Sequence, residues 1–139
     1  MIKLKSSFIP AICWFIFSTL LLIIPGSELP GEDWMGKIWL DKWIHIGMFS
    51  IMVILWCLPI SLKRFDNNKL KIIFLYCGIV WLIYGIVMEF IQKFYIPNRS
   101  FDAGDIVADA TGCTIGVLYS IRKYIKKIDP CGNRGRNQN

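Results

Sequence analysis

The sequence predicts an all-α membrane protein, a bundle of four transmembrane helices with both termini in the cytoplasm. Three observations lead there. Of 139 residues, 55% are hydrophobic and 19% charged, with a mean hydropathy of +0.48, more apolar than an average soluble domain. The apolar residues gather in four stretches of about 17 to 23, close to the roughly 20 residues that cross a hydrocarbon core of about 30 Å at 1.5 Å rise per residue. The basic residues crowd into alternate loops, as the positive-inside rule describes. The length suits one compact unit. The alternating segments of about 10 residues that build a membrane barrel do not occur.

The first span is expected at about 8–24, behind Lys3 and Lys5. Its apolar run is longer than the usual 7 to 15 residues of a signal peptide. Pro25-Gly26-Ser27-Glu28 offers no small-x-small cleavage pattern, so it reads as a retained helix. The second span is expected at about 43–62, the third at 70–92 and the fourth at 102–121. Residues 1–125 then form one four-helix domain. Residues 126–139, basic, polar and rich in Gly and Asn, lack apolar surface to fold and are expected as a disordered cytoplasmic tail near anionic headgroups.

Orientation follows from the charges. Lys3, Lys5, Lys63, Arg64, Lys69, Lys71, Arg122, Lys123, Lys126, Lys127, Arg134 and Arg136 fall on one side, and only Lys37, Lys42, Lys93 and Arg99 on the other. With Asp66 and Asp129 inside and eight acids at or near the outside, the balance is +10 inside and −4 outside. The net +6 is thus a topology signal, and nucleic-acid binding is not needed to explain it. Cys13, Cys57, Cys77 and Cys113 lie in apolar runs without C-x-x-C spacing, and read as small buried hydrophobes. Cys131, in the polar tail, is either free or palmitoylated.

The polar residues at membrane depth come from three spans and all lie at the outer end. An ionised group near a span centre costs roughly 2.5 to 3.5 kcal/mol, so each needs a reason. In the second span Asp41 and His45, the single histidine, are four apart and face the same way. The plain alternative is that Asp41 caps the helix and His45 sits at headgroup level. In the third span Gly78, Gly85, Glu89 and Gln92 fall on one face, small residues deep and polar ones near the exit. Lys93 is the plain partner for Glu89. The fourth span carries Asp102, Asp105, Asp109, Gly112 and Gly116 as one stripe, three carboxylates followed by a G-x-x-x-G. Asp102 and Asp105 suit a helix first turn; Asp109 is too deep for that. Arg99 is the natural counter-charge. So many carboxylates beside a histidine require a bound divalent metal, raised carboxyl pKa values, or pairing with Arg99, Lys42 and Lys93. The candidate pocket is Asp41, His45, Glu89, Gln92, Arg99, Asp102, Asp105 and Asp109, with Glu89, Asp105 and Asp109 as the candidate metal ligands. Gly112 and Gly116 also offer a route to oligomers.

Written out, the pattern is D41-K-W-I-H45-x3-F49, then G85-x3-E89-x2-Q92-x6-R99-x2-D102-x2-D105-x3-D109-x2-G112-x3-G116. It resembles the VanZ-like family of small bacterial membrane proteins, whose namesake confers low-level resistance to the glycopeptide teicoplanin. The resemblance covers about residues 41–116, together with the number and order of helices. It places the family's characteristic polar positions on Asp41, His45, Glu89, Gln92, Arg99, Asp105 and Asp109. Phe49 stands where the family often has Tyr, and Asp109 where it commonly has Asn.

The resemblance implies a multi-pass protein of the bacterial plasma membrane, acting at its outer face on cell-envelope precursors or their accessibility to glycopeptides. Its partners would be membrane lipids and lipid-linked cell-wall precursors. A second reading is a metal-dependent enzyme on phosphate-linked lipid head groups, with His45 as general base. No P-loop, H-E-x-x-H or G-x-S-x-G accompanies it. A third is a transporter or proton pathway, although the inner halves of the spans contain almost no ionisable groups.

Overall fold

A computed structural model describes residues 8–24, 40–63 and 65–125. They form four helices, α1 (Ile9–Leu22), α2 (Leu40–Ser61), α3 (Asn67–Tyr95) and α4 (Ala103–Tyr124), with no strand among the described residues. The N-terminal lysines, residues 25–39 with Glu28, Glu32, Asp33 and Lys37, Arg64, and residues 126–139 lie outside the described residues.

Local chemistry sets the helix ends. Pro10 sits in the first turn of α1, where a missing N–H costs nothing. The Asp66 carboxylate accepts the Asn68 N–H at the start of α3, and that of Asp102 accepts the Gly104 N–H at the start of α4. Pro59, near the end of α2, is followed by only two more helical residues. The α3–α4 connection turns through Asn98, at φ 57°, a conformation asparagine tolerates.

Several bounds differ from expectation: α2 begins at Leu40 rather than at 43, and α4 runs to Tyr124 rather than to 121. The 29-residue α3 begins three residues early, behind its Asp66 cap, and runs three residues late through Lys93-Phe94-Tyr95. By contrast α1 has 14 residues, shorter than the expected span. Among the described residues two helices, α2 and α3, are long and apolar enough to cross a membrane. The 22 residues of α4 include Asp105, Asp109, Arg122 and Lys123, which interrupt its apolar run.

The tightest pairing is α2 with α4. A Cβ on Gly112 would lie 2.5 Å from the Ile46 carbonyl oxygen, and one on Gly116 would lie 2.7 Å from Val53 Cβ. No larger residue fits at this separation. The G-x-x-x-G stripe thus makes a contact inside the chain, and both glycines are buried there rather than offered to a second copy. Ser50 Oγ bridges the same helices, 2.7 Å from Ile46 O and 3.0 Å from Gly112 O. Below it Phe49, Met52, Val53, Cys57 and Phe74 fill the core. Helix α1 is held by the Trp14 indole N–H on Met48 O (3.1 Å), by Thr19 and Tyr84 hydroxyls 2.8 Å apart, and by Phe15 against Trp81.

The outer surface is unusual in being apolar. Ile12, Ile16 and Leu20 of α1, and Ile72, Leu75, Ile79, Ile83, Val87 and Phe90 of α3, are exposed, whereas Ser18, Gly78, Gly85, Glu89 and Gln92 point inward.

Candidate functional site

The start of α2, the end of α3 and the start of α4 meet at one end of the bundle and bring acids from all three together. His45, Glu89, Gln92, Asp105 and Asp109 are all buried there, Glu89 and Asp109 to 1% exposure. The helical stripe explains this placement: Asp105, Asp109, Gly112 and Gly116 all face the core, at alternating spacings of four and three.

Two groups can be distinguished. In the shallower one the Lys42 ammonium lies 2.5 Å from Asp102, 2.8 Å from Asp105 and 3.6 Å from Asp41. These three carboxylates stand within 4.8 Å of one another, and Lys42 is the cation among them. Its hydrogen bond holds the Asp102 carboxyl below the usual carboxylate range, helped by the Gly104 N–H. Asp41 shares a helix face with His45 yet stays exposed at the rim.

The deeper group is built around His45. Its Nδ1 lies 2.8 Å from Asp109 Oδ1, and its ring runs nearly parallel to Phe49, at 11° with centroids 6.4 Å apart. The other Asp109 oxygen, Oδ2, is buried without a hydrogen-bond partner among the described residues. It faces Gly85, where a Cβ would stand 2.5 Å away. Gly85 is therefore the gap that admits an aspartate at this depth. Glu89 accepts the Asp102 backbone N–H on Oε2 at 3.1 Å and forms no ion pair among the described residues. Lys93 instead lies over the Phe94 and Phe101 rings. One ligand atom each from His45, Glu89 and Asp105 fall within 4.8 Å of one another. The structure thus brings His45, and not Asp109, into a set with Glu89 and Asp105.

Two expected site residues have other work. Arg99 is not the counter-charge of the acids: its Nε–H points 3.4 Å from Ile24 O, and it makes no ion pair among the described residues. Gln92 donates Nε2–H to Leu22 O at 2.8 Å. Together they satisfy carbonyls at the C-terminal end of α1, which an apolar helix cannot satisfy itself. Of the three expected counter-charges, Arg99, Lys42 and Lys93, the one that answers the acids is Lys42, although it sits one position off the Asp41–His45 face. Its length lets it reach α4 regardless.

No family model and no solved structure matches the chain. It is 30% identical, over 89 residues, to an uncharacterized protein of the fission yeast Schizosaccharomyces pombe. The match takes in 64% of this chain and 51% of the yeast protein, so the chain spans about half the length of the curated relative it matches.

Proposed function

We propose that the chain is a VanZ-like integral membrane protein with four spans and both termini in the cytoplasm. Its polar pocket acts at the outer face of a bacterial plasma membrane on lipid-linked envelope precursors, and so contributes to glycopeptide resistance of the teicoplanin type. The observation that carries this reading is the convergence of His45, Glu89, Asp105 and Asp109 at one end of a bundle whose outward faces are apolar. Large contiguous apolar surface suits lipid rather than water. Buried acids in such a setting mark a functional site by default. The loop charges favour this end facing outward. Helix α1, at 14 residues, continues through apolar Ile23 and Ile24, and local thinning accommodates a short span.

The test is a strain with and without the chain, and with Glu89→Gln, Asp105→Asn and Asp109→Asn, scored for teicoplanin tolerance and for abundance in the membrane. Tolerance should fall with each substitution at unchanged abundance. Equal tolerance with and without the chain contradicts the resistance role. Reporter fusions at both termini and in the 63–66 and 96–101 loops check the four-span topology.

A second reading, a metal-dependent enzyme on phosphate-linked lipid head groups, is favoured by the closeness of His45, Glu89 and Asp105. A relative in a fungus also suits head-group handling better than a role confined to one class of antibiotic. Release of phosphate from a lipid phosphate by the purified chain, abolished in His45→Ala, is the result this reading expects.

A further inference from the structure

Each member of the deeper group has one polar atom committed and one left over. Among the described residues, His45 holds Asp109 through Nδ1, leaving Nε2; Glu89 takes the Asp102 N–H on Oε2, leaving Oε1; Asp105 takes Lys42 on Oδ1, leaving Oδ2. Beside them Asp109, 1% exposed, keeps Oδ2 without a partner among the described residues. Lys42 is shared by three acids at the rim, and none of its contacts is to Glu89 or Asp109. Carboxylates this buried do not remain ionised without a cation to answer them.

We propose that His45, Glu89 and Asp105 bind a divalent first-row metal ion of the Mn²⁺ or Zn²⁺ kind, with Asp109 orienting His45. One imidazole with two carboxylates suits such ions better than Ca²⁺ or Mg²⁺, which take oxygen ligands. Ligands about 2.0 to 2.2 Å from a common ion stand at most about 4.4 Å apart. One ligand atom from each of the three residues already falls within 4.8 Å of the others, close to that limit. The Nδ1–H donated to Asp109 fixes the tautomer that leaves the Nε2 lone pair available, the usual arrangement of a metal-bound histidine and its carboxylate. Three protein ligands leave coordination positions open to a phosphate or carboxylate oxygen of a bound head group. His45 is thus a ligand and not a general base. The inference deepens the metal-dependent reading above, and because its test uses the metal alone, it fails or stands separately from any activity on lipid.

The experiment is a titration of Mn²⁺ into the full chain, purified in detergent and stripped with chelator, followed by the loss of the free-ion electron paramagnetic resonance signal, with Zn²⁺ as competitor. Saturable binding of one ion per chain is expected. Glu89→Gln and Asp105→Asn should each weaken it by about tenfold or more, and Asp109→Asn, through His45, by about 10- to 100-fold. Circular dichroism and gel filtration establish that each variant is folded. Folded wild-type chain that binds neither ion saturably overturns the proposal, whatever the variants do. So does undiminished binding in folded Glu89→Gln and Asp105→Asn.

Discussion

The acids around Lys42 and those around His45 share residue types and even share Asp105, yet they differ in depth and in what answers their charge. At the rim, Asp41 and Asp102 keep 56% and 48% of their side-chain surface in solvent, and an ammonium of the same chain sits among them. One turn deeper, Glu89 and Asp109 are sealed, and the chain supplies one imidazole and one backbone N–H. The rim cluster is complete within the chain. The deeper one is not, and that difference, more than the number of carboxylates, separates a helix-start ion-pair network from a binding site.

The comparison breaks most readily at His45. Replacing it with Ala strands Asp109 as a buried carboxylate and should lower stability by about 3 kcal/mol or more, whereas the paired apolar change His45→Phe with Asp109→Leu should recover much of it. Thermal unfolding in detergent reads both. Gly85→Ala comes next: its Cβ would stand 2.5 Å from Asp109 Oδ2 and 3.0 Å from Phe49 Cζ, in a packed interior. The expected loss is about 1 to 3 kcal/mol, accompanied by weaker metal binding as Asp109 is pushed off His45. At the rim, Lys42→Met should cost less, about 1 to 2 kcal/mol, because the pairs with Asp41 and Asp102 are partly exposed and screened and only Asp105 loses a partner in a buried setting. If Lys42→Met proved more damaging than His45→Ala in the same melting assay, the ranking of the two clusters would be reversed.

The smallest effect is at Asp102. Asp102→Asn should change stability by less than about 1 kcal/mol at neutral pH. Because Lys42 holds its carboxyl low in the folded chain, the contribution is present above the ordinary carboxylate value and is lost as pH falls through the lowered folded value. Melting of wild type and Asp102→Asn should therefore converge toward acid pH. A difference that grew on acidification would mean that Asp102 is not held by Lys42.

Much of this arrangement was legible from helical spacing. The Asp105, Asp109, Gly112 and Gly116 stripe, and Glu89 with Gln92, are i, i+3 and i, i+4 patterns, and the structure buries every one of them. What spacing does not carry is the reach of long side chains and contacts between distant segments. Lys42 meets acids 60 and 63 positions away, and Gln92 and Arg99 meet carbonyls 70 and 75 positions away at the end of α1. Arg99 looked like the counter-charge because it is near the acids in sequence. In the folded chain its Nε–H faces a helix end. The helix bounds missed for a similar reason: hydropathy marks the apolar middle of α3, while the Asp66 cap and the polar first turn extend it.

The location of a bound ion tests the central claim most directly. Crystals of the full chain soaked in Mn²⁺ should give an anomalous difference peak about 2.2 Å from the imidazole of His45 and from the carboxylates of Glu89 and Asp105. A peak found only among Asp41, Asp102 and Asp105, or none in crystals where the His45–Asp109 bond is seen, would contradict it.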